Sequence, residues 1–345
     1  MERKRRRIGR IGVVSAFAAS LALWTLLCFF YMFRRDSWAA ATFLPPWIWL
    51  LPGLLLAVLG FRSSNKRVFL AVVLLWGVFL CAFSEEPWSL LKSLVRSGVK
   101  HDIAFLAERK SGGGVRVATL NCAGANIEAA AEIAPYSPDI VLLQESPNRA
   151  EVDALALQLF PGNAGVVWGR DTSILARGVV TQTPAVSQGG HYFSETQARV
   201  RLANGTELEV ISLRLQPPVV HVDLWSPDCW REHAADRRER RGQLIVIGEQ
   251  IRTFPPGLPV IVGGDFNVPS GDAVFDTLRP GLTDSFAAAG KGWGNTALND
   301  FAVSRVDQIW TNSLCHAFAV RAHKTLHSDH RMVIADLFVD KPLTR

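Results

Sequence analysis

The chain carries polar residues at the ends of strand-like runs, and their types and order suit chemistry on phosphorus. Asn121 closes Thr119-Leu120-Asn121, and Glu145 closes Leu143-Gln144-Glu145. Asp265 and Asn267 sit in Gly263-Gly264-Asp265-Phe266-Asn267. Asp307 lies in Arg305-Val306-Asp307-Gln308-Ile309, and the series ends at Ser328-Asp329-His330. Each follows or interrupts an apolar stretch. Together they offer oxygen ligands for a hard divalent cation and one imidazole for proton chemistry. That set meets the needs of phosphate-ester hydrolysis at neutral pH.

Each motif also has a plainer reading. Asp265 and Asn267, two residues apart, can face one cleft or form an ordinary Asx turn. The two glycines before them are expected to turn the backbone sharply after a buried strand. His330 is either structural or catalytic. Asp307 favours the second reading, because a carboxylate on a strand is costly to bury unless paired, and pairing would fix the His330 tautomer. Glu145 is either an exposed strand end or a metal ligand, with Asn121 and Asp329 as companions for Mg²⁺ or Mn²⁺. Asp265 and His330 both sit at strand ends, so their replacement is expected to spare the fold. The other histidines, among them His191, His221 and His233, have no zinc-ligand spacing. Arg231, Arg237, Arg238, Arg240 and Arg241 alternate with Glu232, Asp236 and Glu239 at helical spacing. They read as a solvated, internally paired helix face, not a phosphate patch.

These residues need strands to hold them. Val115 to Asn121 reads as a strand, 125–135 as a helix, Asp139 to Glu145 as a buried strand and 149–159 as a helix. Residues 164–176 read as two short strands. Thr196 to Leu202 and Glu207 to Leu215 pair across Asn204-Gly205, a hairpin signal. A long helix at 229–252 precedes the strand Leu258 to Gly263. Two more strands follow, at 303–311 and 331–338. Mixed pairing with interspersed helices predicts an α/β fold with two facing sheets covered by helices, not a doubly wound sheet. On strand parity Arg214 shares the buried face with Leu208 and Val210.

The N-terminal part is of another kind. Residues 11–33, 43–61 and 68–84 are apolar runs near the length that spans a bilayer, and the first has no charged residue. It is too long for a signal-peptide core. Pro45, Pro46 and Pro52 leave the second run open to a kink or a re-entrant path. Residues 1–100 hold 14 Lys and Arg against 4 Asp and Glu; residues 101–345 hold 23 against 27. The overall +6 therefore belongs to the membrane part and gives no basis for a nucleic-acid surface. Six basic residues precede Ile11, and Arg62, Lys66 and Arg67 follow the second run. With about three spans, the N-terminus is expected in the cytoplasm and everything after Ser84 outside it. Residues 1–84 read as the anchor; residues 85–114 read as a juxtamembrane amphipathic helix over 85–100 and a linker with the flexible break Ser111-Gly112-Gly113-Gly114; residues 115–341 read as the phosphoesterase domain. Five cysteines, without a C-x-x-C spacing, give neither a disulfide framework nor a zinc signature.

Taken in order, the motifs resemble the endonuclease/exonuclease/phosphatase superfamily, the DNase I-like fold, over about residues 115–340. The resemblance implies a four-layered α/β sandwich of two mixed sheets flanked by helices, with the active site at one rim. It implies Glu145 as the metal ligand, with Asn121 and Asp329 beside it. Asp265 and Asn267 would orient or activate water and hold phosphate, and Asp307 would pair with His330. Two positions depart from the family pattern. Arg214 stands in Ser212-Leu213-Arg214-Leu215 where a His is common, and Gln308 follows the Asp where an aromatic is usual. Arg214 can stabilise phosphoryl charge but cannot exchange a proton. The expectation is a membrane-integral, Mg²⁺- or Mn²⁺-dependent phosphoesterase with its catalytic domain outside the cytoplasm. No other cofactor and no protein partner is expected. The expected substrate is a phosphate ester, with a lipid head group, a nucleotide and a nucleic acid all open, and a degradative extracytoplasmic nuclease is the alternative reading. A binding protein on a decayed hydrolase fold is the alternative of another class.

Overall fold

The computed structural model describes residues 2–61, 66–95, 99–184, 193–279 and 281–340. Arg62, residues 96–98 of the expected juxtamembrane helix, His191 and residue 341 lie outside them. The chain forms two compact units, residues 1–88 with 220–234, and residues 89–219 with 235–345.

In the first unit the apolar runs are helical: α1 (Glu2–Phe33), α2 (Ala39–Phe43), α3 (Leu50–Phe61) and α4 (Lys66–Phe83). Ser15–Phe33 and Lys66–Phe83 are each long and apolar enough to cross a membrane. Asp36–Phe43 and Pro46–Phe61 pass that test only together, across a 75° bend. The bend has a local cause, since Pro46 forces Pro45 into an extended conformation, with ψ at 145°. Ser20 meets Trp76 and Tyr31 meets Phe83, so α1 and α4 run the same way. Ser20 also donates to Gly53 O (2.8 Å), and Trp49 reaches Tyr31 Oη (3.2 Å), so α3 runs oppositely. The outer faces expose Leu21, Leu26, Phe29, Leu51, Leu55 and Leu74. In the same unit Trp230 packs against Phe30, and His233 against Phe43.

After α5 (Glu86–Val95) and α6 (Val99–Lys110), the second unit alternates β1 (Gly114–Asn121), α7 (Ile127–Ala131), β2 (Ile140–Gln144) and α8 (Arg149–Leu159). Next come β3 (Ala164–Trp168), β4 (Thr172–Gln182), β5 (Ser194–Leu202), β6 (Glu207–Arg214) and α9 (Pro227–Ile251). The last elements are β7 (Val260–Asp265), β8 (Thr283–Asp284), α10 (Ser285–Ala289), β9 (Asp307–Thr311), β10 (Cys315–His323) and β11 (Met332–Val339). The strand order is β10-β11-β1-β2-β4-β5-β6-β7-β9-β8, with β3 on β4. β1–β2 and β6–β7 are parallel; the other pairs are antiparallel.

The two expected sheets share a strand. Residues 172–176 of β4 pair with β2, and residues 178–182 pair with β5. Gly178, at φ 156°, makes the switch, because a Cβ there would lie 2.1 Å from Arg201 O. Strand alternation then builds four layers. Ile140 and Leu142 face the inter-sheet core with Val210, Ile261 and Ile309. Val141 and Leu143 face α7 and α8 through Ala129, Val152 and Leu155. Leu213 and Val262 meet α9 through Leu244 and Ile247. The expected α/β sandwich is therefore present.

Three features differ from the sequence reading. β10 has no apolar alternation strong enough to announce it. Residues 99–110 are a helix, and its Phe105 packs against Phe318 (6.0 Å) and Phe338 (6.1 Å). The glycines Gly263 and Gly264 lie inside β7 instead of turning after it.

Candidate active site

Strand register gathers the polar residues at one rim. Asn121, last in β1, is level with Gln144, last in β2, so Glu145 follows immediately beside it. Across the other half of the sheet Arg214 is level with Asp265, and Asp265 with Asp307. Gly264 makes that row possible: at φ 145° its missing Cβ would sit 1.9 Å from Leu213 O. Beneath the rim a polar ladder joins the two halves. Thr119 Oγ1 donates to Gln144 Oε1 (3.2 Å), Gln144 Nε2 to Ser212 Oγ (3.2 Å), and Ser212 Oγ to Leu143 O (3.2 Å).

Asp265 is buried and held at both oxygens. The Asn267 N–H donates to Oδ1 (2.9 Å), and Asn121 Nδ2 donates to Oδ2 (3.1 Å). Asn267 takes a left-handed conformation (φ 51°) and anchors its amide on Leu215 O (2.8 Å). The motif is thus an Asx turn and a cleft residue at once. Burial first, and then the charge of Asp307, push Asp265 up to about 6.

Asp307 is fully buried, and its Oδ2 lies 2.8 Å from His330 Nδ1. The expected Asp–His pair is therefore formed. It fixes Nδ1 as the protonated nitrogen, and Thr296 Oγ1 receives the Asp307 N–H (3.1 Å). Burial pushes His330 down, but the charge and hydrogen bond of Asp307, with Asp265 and Asp329, overcome it and raise His330 to about 10. At neutral pH His330 is therefore a cation. Asp265, Asp307 and His330 form the tight group here, each offering a ligand atom within 4.8 Å of the others.

Glu145 also adopts a left-handed backbone (φ 46°), a strained choice for a non-glycine residue that is common at functional sites. Gly124 N–H reaches its Oε2 (2.5 Å), while Asn121 Nδ2 (3.3 Å) and Arg214 Nη2 (2.8 Å) reach Oε1. Burial opposes its charge most, yet these donors and His330 together hold Glu145 below the usual glutamate range. Arg214 points to the cleft side, as strand parity implied. It is engaged with Glu145 and lies 3.6 Å from Asp171. Asp329 is exposed; its backbone carbonyl accepts from Asn299 N (2.7 Å), and its carboxylate acts on His330 through space. Gln308 braces the Asp265 loop by donating to Val268 O (3.1 Å).

The donor set fits a hard cation: carboxylate and amide oxygens, one of them the ionised Glu145, and no thiolate. Cys122 is adjacent, but burial, then the charge of Glu145, raise its thiol far above neutrality. The sequence reading missed Gly124, Asp171 and Thr296. Asp171 precedes β4 and had a weak strand-end signal. Gly124 acts through its backbone and Thr296 lies in a loop, so neither had one.

The family profile described as "Endonuclease/Exonuclease/phosphatase family" matches residues 118–330. An endonuclease/exonuclease/phosphatase from Bacteroides vulgatus is 18% identical, with 66% of this chain and 99% of that one covered at TM-score 0.53. A family protein from Bacteroides thetaiotaomicron is 17% identical, with 66% and 98% covered at TM-score 0.52. A mannosyl-6-phosphatase from the same organism is 18% identical, with 65% and 99% covered at TM-score 0.51. These likenesses are of fold. No curated protein matches the chain.

Proposed function

The chain belongs to the endonuclease/exonuclease/phosphatase family, and on that premise we propose a membrane-anchored phosphoesterase that works with Mg²⁺ or Mn²⁺. The observation that carries the reading is the convergence of Asp265, Asp307 and His330 beside Glu145 and Asn121. Asp265 takes a proton from the attacking water. Its raised pKa, near working pH, suits a general base, and Asn121 and the Asn267 N–H aim its oxygens. Water oxygen bonds to phosphorus as the ester P–O bond breaks. His330, a cation held by Asp307, stabilises the phosphoryl oxygens and donates to the leaving oxygen. Asn267 helps to hold the phosphate.

Glu145, with Asn121 and Asp329, would hold the cation, which supplies positive charge to the phosphoryl group when bound. Arg214 orients Glu145 and adds permanent charge where family members often have His. The site test is release of product from aryl phosphate monoesters and diesters by the full-length protein. Asp265→Asn is expected to abolish it.

The anchor is residues 1–84 and the catalytic domain 115–341, outside the cytoplasm. Support comes from the apolar helices α1 and α4, the opposite run of α3 and the basic N-terminus. Exposed Val220, Val222 and Trp225, in the same compact unit as these helices, suit a membrane interface.

A further inference from the structure

Two loops beside His330 form a pocket of which the hydrolytic machinery uses Asp329 alone. One runs from Leu298 to Ala302, the other from Lys324 to Asp329; the pocket between them is about 460 Å³. Its walls include Leu298, Phe301 and Leu326, which are 60%, 71% and 83% exposed. Across residues 114–219 and 235–339, six described large apolar side chains are exposed: these three, Leu157, Val179 and Ile245. Half of them therefore gather at one place, next to the reacting groups. Such clustering marks a binding surface.

The loops are cross-braced. Asn299 donates through Nδ2 to Thr325 O (2.7 Å) and accepts the Thr325 N–H at Oδ1 (3.1 Å). Its own N–H reaches Asp329 O (2.7 Å), and Thr325 Oγ1 donates to His330 O (2.7 Å). Ala297 bridges to His330. Leu298 holds φ at 64°, a left-handed conformation that leucine rarely takes. This bracing ties both loops to the backbone of His330.

The pocket's charge does not favour a polyanion. Lys324 is its one cationic lining residue, and Asp300 lies 2.5 Å from it. Asp329 adds a second carboxylate. Arg331, beside the pocket, is engaged with Asn299 O (2.9 Å), so the lining offers little to the next phosphate of a nucleic acid. We propose that this pocket receives a hydrocarbon chain, so that the substrate is a lipid-type phosphate ester whose phosphorus lies at Asp265 and His330. The proposal rests on the phosphoesterase reading and names its substrate class.

The test uses the full-length protein in nanodiscs and alkyl p-nitrophenyl phosphodiesters with methyl, butyl and octyl chains. A nucleotide p-nitrophenyl ester is added as a fourth substrate. A buried methylene is worth roughly fourfold in binding. The wild-type kcat/KM is expected to rise at least tenfold from methyl to octyl. The double variant Phe301→Ser, Leu326→Ser is expected to lose that rise while keeping the methyl ester's rate. A flat chain-length series, an unchanged slope in the variant, or a preference for the nucleotide ester overturns the proposal. Binding of octylphosphonate against methylphosphonate by calorimetry separates the two readings. Tighter octyl binding that the double variant abolishes, in a protein without turnover, keeps the pocket and sinks the phosphoesterase. Equal binding in both proteins sinks the pocket.

Discussion

Asp307 sets the proton chemistry of its two neighbours. Burial, and then its charge, lift Asp265 to about 6, and against burial its charge and hydrogen bond help to lift His330 to about 10. Between those values Asp265 is ionised and His330 protonated, so kcat/KM is expected to rise through about pH 6 and fall near pH 10. Asp307→Asn removes the charge that raises His330. The alkaline limb of the pH–rate profile should then move down toward the ordinary value of 6.5, and an unmoved limb would refute the pairing. The same shift bears on stability. The His330 pKa is raised on folding, so its contribution is complete below 6.5 and is lost as pH rises through about 10. Asp265→Asn should lower kcat by about 10²–10⁴ with little change in Tm. His330→Ala should also cost stability, about 3–5 kcal/mol, because it leaves the fully buried Asp307 without its partner. The sequence reading expected no such loss: strand-end position suggested exposure, whereas Asp307 ties the histidine to the interior. Asp265, Asp307 and His330 were legible because carboxylates beside buried strands need a reason. Gly124 and Thr296 were not legible, since backbone donors and loop hydroxyls leave no pattern.

At the scale of elements, β6, β7 and β9 form the row that aligns Arg214, Asp265 and Asp307. Gly264 allows β6 and β7 to approach, so Gly264→Ala should destabilise the protein by about 1–3 kcal/mol and lower kcat with it. An unchanged Tm would show that the strands adjust freely. Arg305, two residues before Asp307, makes two hydrogen bonds to Asp284 (2.6 and 3.2 Å), which itself caps α10. Arg305→Leu leaves that carboxylate buried and should cost about 3–5 kcal/mol, read as a fall in the denaturation midpoint. The Asn204-Gly205 hairpin and the long helix α9 were readable from local chemistry. The strand shared by both sheet halves was not, because the local composition of Thr172–Gln182 does not show which strands it pairs with. β10 and α6 escaped for a related reason, since their burial depends on Phe105, Phe318 and Phe338 meeting across distant parts of the chain.

The whole chain joins an apolar helical unit to a sandwich with a polar rim. A topology reporter fused after Lys100 should give a non-cytoplasmic signal, since α1 and α4 run the same way and the N-terminus is basic. A cytoplasmic signal would mean an even number of crossings, with the bent segment before α3 re-entrant. Chelation should silence the protein, and Mg²⁺ or Mn²⁺ should restore it; restoration by Zn²⁺ alone would contradict the oxygen-ligand site. The most direct measurement is turnover of aryl phosphate esters by purified full-length protein, wild type beside Asp265→Asn, with EDTA and with added Mg²⁺ or Mn²⁺. Metal-dependent release of the aryl alcohol by the wild type, lower by at least about 10² in the variant, is the expected result. No turnover with any of these esters, or equal turnover by the two proteins, would contradict a hydrolase centred on Asp265.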